Sequence, residues 1–127
     1  MTMPDKIKVL LIEDDRFLSE MYTTKLTNSG FEIETAFDGE EGLAKVKSFK
    51  PKLVFLDIVL PKKDGFEVLK EIKDGGFLNE TKVIALTNLG QKEEVEKGMS
   101  LGASDYIIKA HFTPTEVVAK AKKLLGI

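Results

Sequence analysis

The sequence predicts an α/β fold, a parallel five-stranded sheet wound on both faces by helices, on three observations. First, Val9-Leu10-Leu11-Ile12, Leu53-Val54-Phe55-Leu56, Val83-Ile84-Ala85-Leu86 and Tyr106-Ile107-Ile108 are short apolar runs, the pattern of strands buried on both faces of a parallel sheet. Second, stretches of helical period separate the runs, and that alternation marks βαβ units. Third, each run ends in residues that carry chemistry: Glu13-Asp14-Asp15, Asp57, Thr87 and Lys109. Sites in open parallel sheets lie outside the carboxyl ends of the strands, so these side chains converge on one edge. Five units fit the 127 residues as a single domain covering 1–127.

Element by element, the first strand feeds a helix on which Phe17, Met21 and the neighbouring Leu18, Tyr22 and Leu26 recur at helical spacing. Asn28-Ser29-Gly30 ends it, glycine tolerating the left-handed backbone of a helix stop. The second strand, Glu32-Ile33-Glu34-Thr35-Ala36, alternates polar and apolar residues and so belongs at a partly wet sheet edge. Asp38 caps a second helix carrying Leu43 and Val46 and stopping before Pro51. Asp64 caps a third carrying Phe66, Leu69 and Ile72, which stops at Gly75-Gly76. The last helix is the best specified, with Thr113, Pro114 and Glu116 forming a capping box ahead of Val117, Ala121, Leu124 and Leu125. An edge-like second strand beside a deeply apolar first one makes the flavodoxin-like order 2-1-3-4-5 the natural doubly wound solution. The crevice then falls between strands one and three, whose ends carry Glu13-Asp14 and Asp57.

Composition narrows the function classes. A formal charge of -2 with 43% apolar residues fits neither a disordered segment nor a nucleic-acid binder with a basic face. The absence of cysteine removes disulfides, zinc-thiolate sites and thiol catalysis, and suits a reducing compartment. Nothing from Met1 to Lys6 resembles a signal peptide or membrane span, so the expected location is cytoplasmic, with no membrane partner.

At the crevice, each residue also has an ordinary reading. Asp15 is best taken as the cap of the first helix; singly, Lys109 reads as a solvated strand-end lysine, Thr87 as a locally bonded hydroxyl and Tyr106 as a packing aromatic. Together they read differently. Glu13, Asp14 and Asp57 brought to one point repel and raise one another's pKa unless a cation sits among them. Oxygen-only ligation in a water-accessible site suits magnesium, with manganese as the alternative ion. Three carboxylates are balanced by Lys109 together with one dication. An aspartate such as Asp57 can act as nucleophile toward phosphorus, and protein catalysis of such transfer is mainly positioning and charge stabilisation.

With these residues in place, the chain resembles the receiver domains of two-component response regulators over essentially its whole length, as a stand-alone, chemotaxis-regulator-like member. The resemblance implies that Asp57 is the phosphoacceptor, that Asp14 and Asp57 are direct metal ligands with Glu13 acting through water, and that the backbone carbonyl of Val59 is a further ligand. It implies that Thr87 and Lys109 bind the phosphoryl oxygens and that Tyr106 is the aromatic switch, drawn inward as Thr87 moves. Leu60-Pro61-Lys62-Lys63-Asp64-Gly65 and Gly102-Ala103-Ser104-Asp105-Tyr106 are similar to the family's segments after strand three and before strand five. The implied function is a magnesium-dependent switch rather than an enzyme. A sensor histidine kinase or phosphotransfer protein would phosphorylate it, and it would signal to a protein target through helix four, strand five and helix five, as a monomer or a weak phosphorylation-dependent homodimer.

Two departures stand out. The family follows its lysine with a proline, often across a cis bond, whereas this chain has Lys109-Ala110-His111-Phe112, one residue longer before the helix. A cis bond to alanine costs about 3 kcal/mol, so a trans peptide in an altered loop is expected, with His111 exposed. Val59 and Leu89 are apolar where the family's side chains approach the phosphoryl group, which should obstruct an attacking water and lengthen the phosphorylated state. Among rival readings, a flavin carrier fails because Glu13-Asp14-Asp15 would repel the flavin phosphate, and a haloacid-dehalogenase-type phosphohydrolase lacks its Asp-x-Asp nucleophile after strand one. A phosphorylation-independent interaction module on the same fold remains the alternative. The chain ends after helix five, which reads as a stand-alone receiver or as a fragment of a larger regulator.

Overall fold

The computed structural model describes residues 6–88 and 92–127. The expectation at Leu89 and the reading of Met1–Asp5 lie outside the described residues. The chain order is β1 (Lys8–Ile12), α1 (Arg16–Asn28), β2 (Glu32–Ala36), α2 (Gly39–Phe49), β3 (Leu53–Asp57), α3 (Gly65–Asp74), β4 (Lys82–Thr87), α4 (Lys92–Ser100), β5 (Asp105–Ile108) and α5 (Pro114–Leu125). Short 3-10 turns at Phe77–Asn79 and Lys109–His111 join α3 to β4 and β5 to α5. All pairings are parallel and the sheet order is β2-β1-β3-β4-β5, as expected.

Residues alternate across the pleat, so β1, β3 and β4 each serve two cores, whereas β5, expected to be buried on both faces, is the second edge and buries only Ile107. Leu10, Ile12, Val54, Leu56, Val83 and Ala85 face α2 and α3, where they meet Leu43, Val46, Val68, Leu69 and Ile72. Val9, Leu11, Leu53, Phe55, Ile84, Leu86 and Ile107 face α1 and α5, meeting Tyr22, Leu26, Val117 and Ala121. Burying each such aliphatic side chain contributes roughly 1.5–3 kcal/mol, and β3 is buried along its entire length. β2 has only Ala36 fully buried and takes the predicted edge, where Lys45 Nζ donates to the Thr35 carbonyl oxygen at 2.6 Å.

The first helix differs from its expected face. Its buried residues are Ser19, Tyr22 and Leu26, while Phe17 and Met21 are 73% and 37% exposed. Positions 18, 22 and 26 form one stripe at four-residue spacing; residues 17 and 21 sit about 100° around the axis from it, and the sheet covers one stripe. α4 contributes only Gly98 to the buried set, and Lys97 Nζ lies 4.4 Å from the Phe66 ring centroid, tying it to α3. Among the described residues no helix is long and apolar enough to cross a membrane.

Candidate functional site

The carboxyl ends of β1 and β3 lie side by side because Ile12 pairs with Leu56, which places Glu13 against Asp57. Asp57 in turn pairs with Leu86, one residue before Thr87, and Thr87 pairs with Ile108, one residue before Lys109. The register therefore delivers the sequence-predicted acids, hydroxyl and lysine to one rim. Glu13, Asp57 and Thr87 are buried, whereas Asp14 is exposed.

Carboxylate oxygens of Glu13, Asp14 and Asp57 lie within 4.8 Å of one another. The Asp57 carboxylate is held from both sides: Oδ1 accepts the Val59 backbone N–H at 3.0 Å and Oδ2 accepts from Lys109 Nζ at 2.7 Å. The same ammonium is 2.5 Å from Glu13 Oε1. Glu13 Oε1, buried, thus has this ammonium as its ion-pair partner and accepts no other hydrogen bond. Glu13 Oε2 accepts the Asp15 N–H at 3.2 Å.

Burial first, and then the hydrogen bond and charge of Asp57, push the Glu13 carboxyl up to about 8 against the opposing pull of Lys109. An ion pair and a raised acid pKa conflict. Burial prevails because one ammonium is shared between two carboxylates and the neighbouring Asp57 adds its own upward push. For Lys109, burial pulls the ammonium down, but the hydrogen bonds to Asp57 and Glu13 outweigh it and the net shift is upward. The rim thus gathers three acidic side chains around a single lysine, with their oxygens within 4.8 Å of one another. That donor set fits a hard divalent cation.

Local structure accounts for the placement. Asp15 accepts the Leu18 N–H at 3.1 Å, which makes it the α1 cap it was expected to be. The Lys109–Ala110 peptide is trans, since no cis bond occurs among the described residues, and the extra residue is taken up in the 109–111 turn. Lys109 therefore still reaches Asp57, and His111 is exposed. Val59 is 67% exposed beside the site, and Tyr106 is 36% exposed on β5.

Sequence reasoning named Gly65 only as the end of the loop after strand three and missed its packing role. A Cβ there would stand 2.3 Å from the Asp57 carbonyl oxygen and 2.6 Å from Ile58 Cα, so only glycine lets α3 begin directly behind the Asp57–Ile58 peptide. Its N–H donates to the Ile58 carbonyl at 2.8 Å. A glycine following the cap Asp64 was the available signal. Also missed was Arg16, whose guanidinium lies 4.0 Å from the Phe37 ring centroid.

Comparison with known proteins agrees with this geometry. The family model described as response regulator receiver domain matches residues 9–122. The chain is 36% identical over 118 residues to the alkaline phosphatase synthesis transcriptional regulatory protein PhoP of Bacillus subtilis, covering 93% of this chain and 48% of that protein. It spans about half the length of the curated relatives it matches. Among solved structures, the chemotaxis response regulator CheY4 of Vibrio cholerae superposes with a TM-score of 0.87 at 28% identity, covering 94% of this chain and 99% of that one. A chain of the CheX-CheY-BeF3-Mg+2 complex from Borrelia burgdorferi gives 0.85 at 30% identity, covering 94% and 89%. A family match over 9–122, joined to the 2-1-3-4-5 sheet and its acidic rim, means that this chain belongs to the response regulator receiver domains of two-component systems.

Proposed function

We propose that the chain is a phosphorylation-activated signalling switch that accepts a phosphoryl group on Asp57 from a histidine kinase or phosphotransfer protein in the cytoplasm. The observation that carries this reading is the Asp57 carboxylate, buried at the end of β3 and gripped by the Val59 N–H and Lys109 Nζ. In the transfer, an Asp57 oxygen forms a bond to phosphorus as the phosphorus–nitrogen bond of a phosphohistidine breaks, and the imidazole leaves with the electron pair. Val59 fixes the plane of the attacking carboxylate. Lys109 neutralises charge on the transferring oxygens, and the Thr87 hydroxyl at the next strand end holds one of them.

Glu13, Asp14, Asp57 and the Val59 carbonyl would hold magnesium, or manganese in its place, and the ion would supply positive charge to the phosphoryl oxygens. Once phosphorylated, Asp57 engages Thr87 and Lys109 through charge-assisted bonds, Tyr106 moves inward, and the face of α4, β5 and α5 is remodelled for a protein target. The chain acts as phosphoacceptor with self-catalysed transfer rather than as an enzyme on a separate substrate, and it works as one receiver domain, monomeric or weakly dimeric when phosphorylated.

Incubation with a small acyl phosphate and magnesium, followed by intact-mass measurement, tests this. One added phosphoryl group that vanishes in Asp57→Asn supports it; an Asp57→Asn protein modified like the parent sinks it. A parent that neither gains mass nor binds beryllofluoride supports the phosphorylation-independent module instead.

A further inference from the structure

Tyr106 stands at the outer face of β5, and its surroundings there are organised around one cation. Lys120 of α5 places its ammonium 5.6 Å from the Tyr106 ring centroid and 5.1 Å from that of Phe112. The ammonium is tethered by Asp105 Oδ2 at 3.3 Å, while Asp105 Oδ1 accepts the Tyr106 backbone N–H at 2.8 Å. The carboxylate of Glu116, one turn earlier on α5, is engaged by the N–H and hydroxyl of Thr113 in the capping box. Lys120 is thus aimed at the strand, with its side chain only 23% exposed, rather than along its own helix.

We infer that Lys120 is a positioning residue for Tyr106, a clasp that holds the ring outward in the unphosphorylated chain and is released on activation. This rests on the switch reading of Tyr106 proposed above. A cation over a ring face favours the ring position that keeps the contact, and such a contact within about 6 Å biases a population about two- to fivefold when partly exposed. Inward movement of Tyr106 gives up the Lys120 contact, whereas Asp105 and Phe112 keep theirs. The clasp therefore opposes the active state selectively. Removing its charge raises the inward population before any phosphoryl group arrives, and a ligand that selects the inward state then binds more tightly by the same factor.

The chain has two tyrosines, and Tyr22 is buried in the core on α1, so fluorotyrosine labelling yields two resonances, assigned by Tyr106→Phe. Three proteins are compared, the parent, Lys120→Met and Lys120→Arg, by fluorine NMR and by beryllofluoride titration with magnesium. The expected result has three parts: Lys120→Met moves the ligand-free Tyr106 resonance toward its beryllofluoride-bound position, it binds beryllofluoride about two- to fivefold more tightly, and Lys120→Arg stays near the parent. Among the three ligand-free proteins the Tyr22 resonance stays fixed. A Lys120→Met protein matching the parent in both readouts overturns the clasp, and so does a Lys120→Arg protein as altered as Lys120→Met, which would make the contact mere packing. A parent whose Tyr106 resonance ignores beryllofluoride overturns the switch reading itself, an outcome distinct from a responsive parent with an indifferent variant.

Discussion

Two neighbouring acids at the rim share one ammonium, yet burial pushes the Glu13 carboxyl up to about 8 while Asp57 has both oxygens engaged by donors. Three acids served by one lysine make the cluster a sink for a dication, and a ligand at 100 times its dissociation constant stabilises the fold by about 2.7 kcal/mol. The melting temperature should therefore rise in millimolar magnesium. Asp14→Asn should blunt that rise more than Asp15→Asn, because Asp15 is occupied by the Leu18 N–H; equal losses would misplace the metal. At Val59, exposed beside Asp57, Val59→Asn should speed loss of the phosphoryl group by giving a water a polar anchor, measured as the decay of the phosphorylated mass; an unchanged decay would remove Val59 as a barrier. Glu13, Asp14, Asp57 and Thr87 were readable because each closes an apolar run, and a strand end is a place that pattern alone locates. Lys109 was readable as a residue but not in its reach, since the extra residue before Thr113 changes a loop whose course periodicity does not encode. Lys120 was not readable at all: its partners Asp105 and Tyr106 are brought near only by the docking of α5 on the sheet.

Helices were legible in proportion to how fully they announce their ends and their buried face. α5 has both, with the Thr113 hydroxyl accepting the Glu116 N–H at 3.2 Å and Glu116 reaching back to the Thr113 N–H at the same distance. Thr113→Ala should cost about 1 kcal/mol in chemical denaturation with an unchanged slope against denaturant; a cost near zero would mean that Pro114 and packing suffice. α4 has neither advantage. Its sequence is mostly charged and contributes a single glycine to the core, so only its place between β4 and β5 implied it. α1 shows the limit of reading a stripe, because two adjacent apolar stripes compete and only docking decides between them. For α3 the decisive residue is Gly65. Gly65→Ala drives a methyl group into the Asp57–Ile58 peptide, so it should destabilise the fold by about 1–3 kcal/mol and slow phosphorylation of Asp57 at temperatures where the variant remains folded. A stable variant that is phosphorylated at the parental rate would show that the loop yields.

For the molecule as a whole, the polar edge strand β2 and the dense runs of β1, β3 and β4 were legible as such, since a run buried on both faces must lie within the sheet, whereas the apolar run of β5 gave no sign that it forms the second edge. Phe55, at the centre of β3 and wholly buried, is the strongest test of that arrangement: Phe55→Ala should cost about 3–5 kcal/mol, read from denaturant midpoints, and a cost below 1 would contradict a close-packed core. Every residue assigned to the phosphoryl site lies at the rim formed by the carboxyl strand ends, which leaves the opposite rim free of that duty. The turn at Gly30 belongs to this second rim, and open space surrounds it, with no heavy atom within 4 Å of where a Cβ would stand. Doubling a flexible loop costs only about 0.6 kcal/mol, so a peptide tag or a fluorescent reporter spliced in at Gly30 should leave the magnesium response and the phosphorylation rate near parental values. The same splice between Ile58 and Gly65 should abolish both. The two rims thus give the chain a tolerant pole and an intolerant one, and length variation in descendants of this sequence is expected to accumulate at the former.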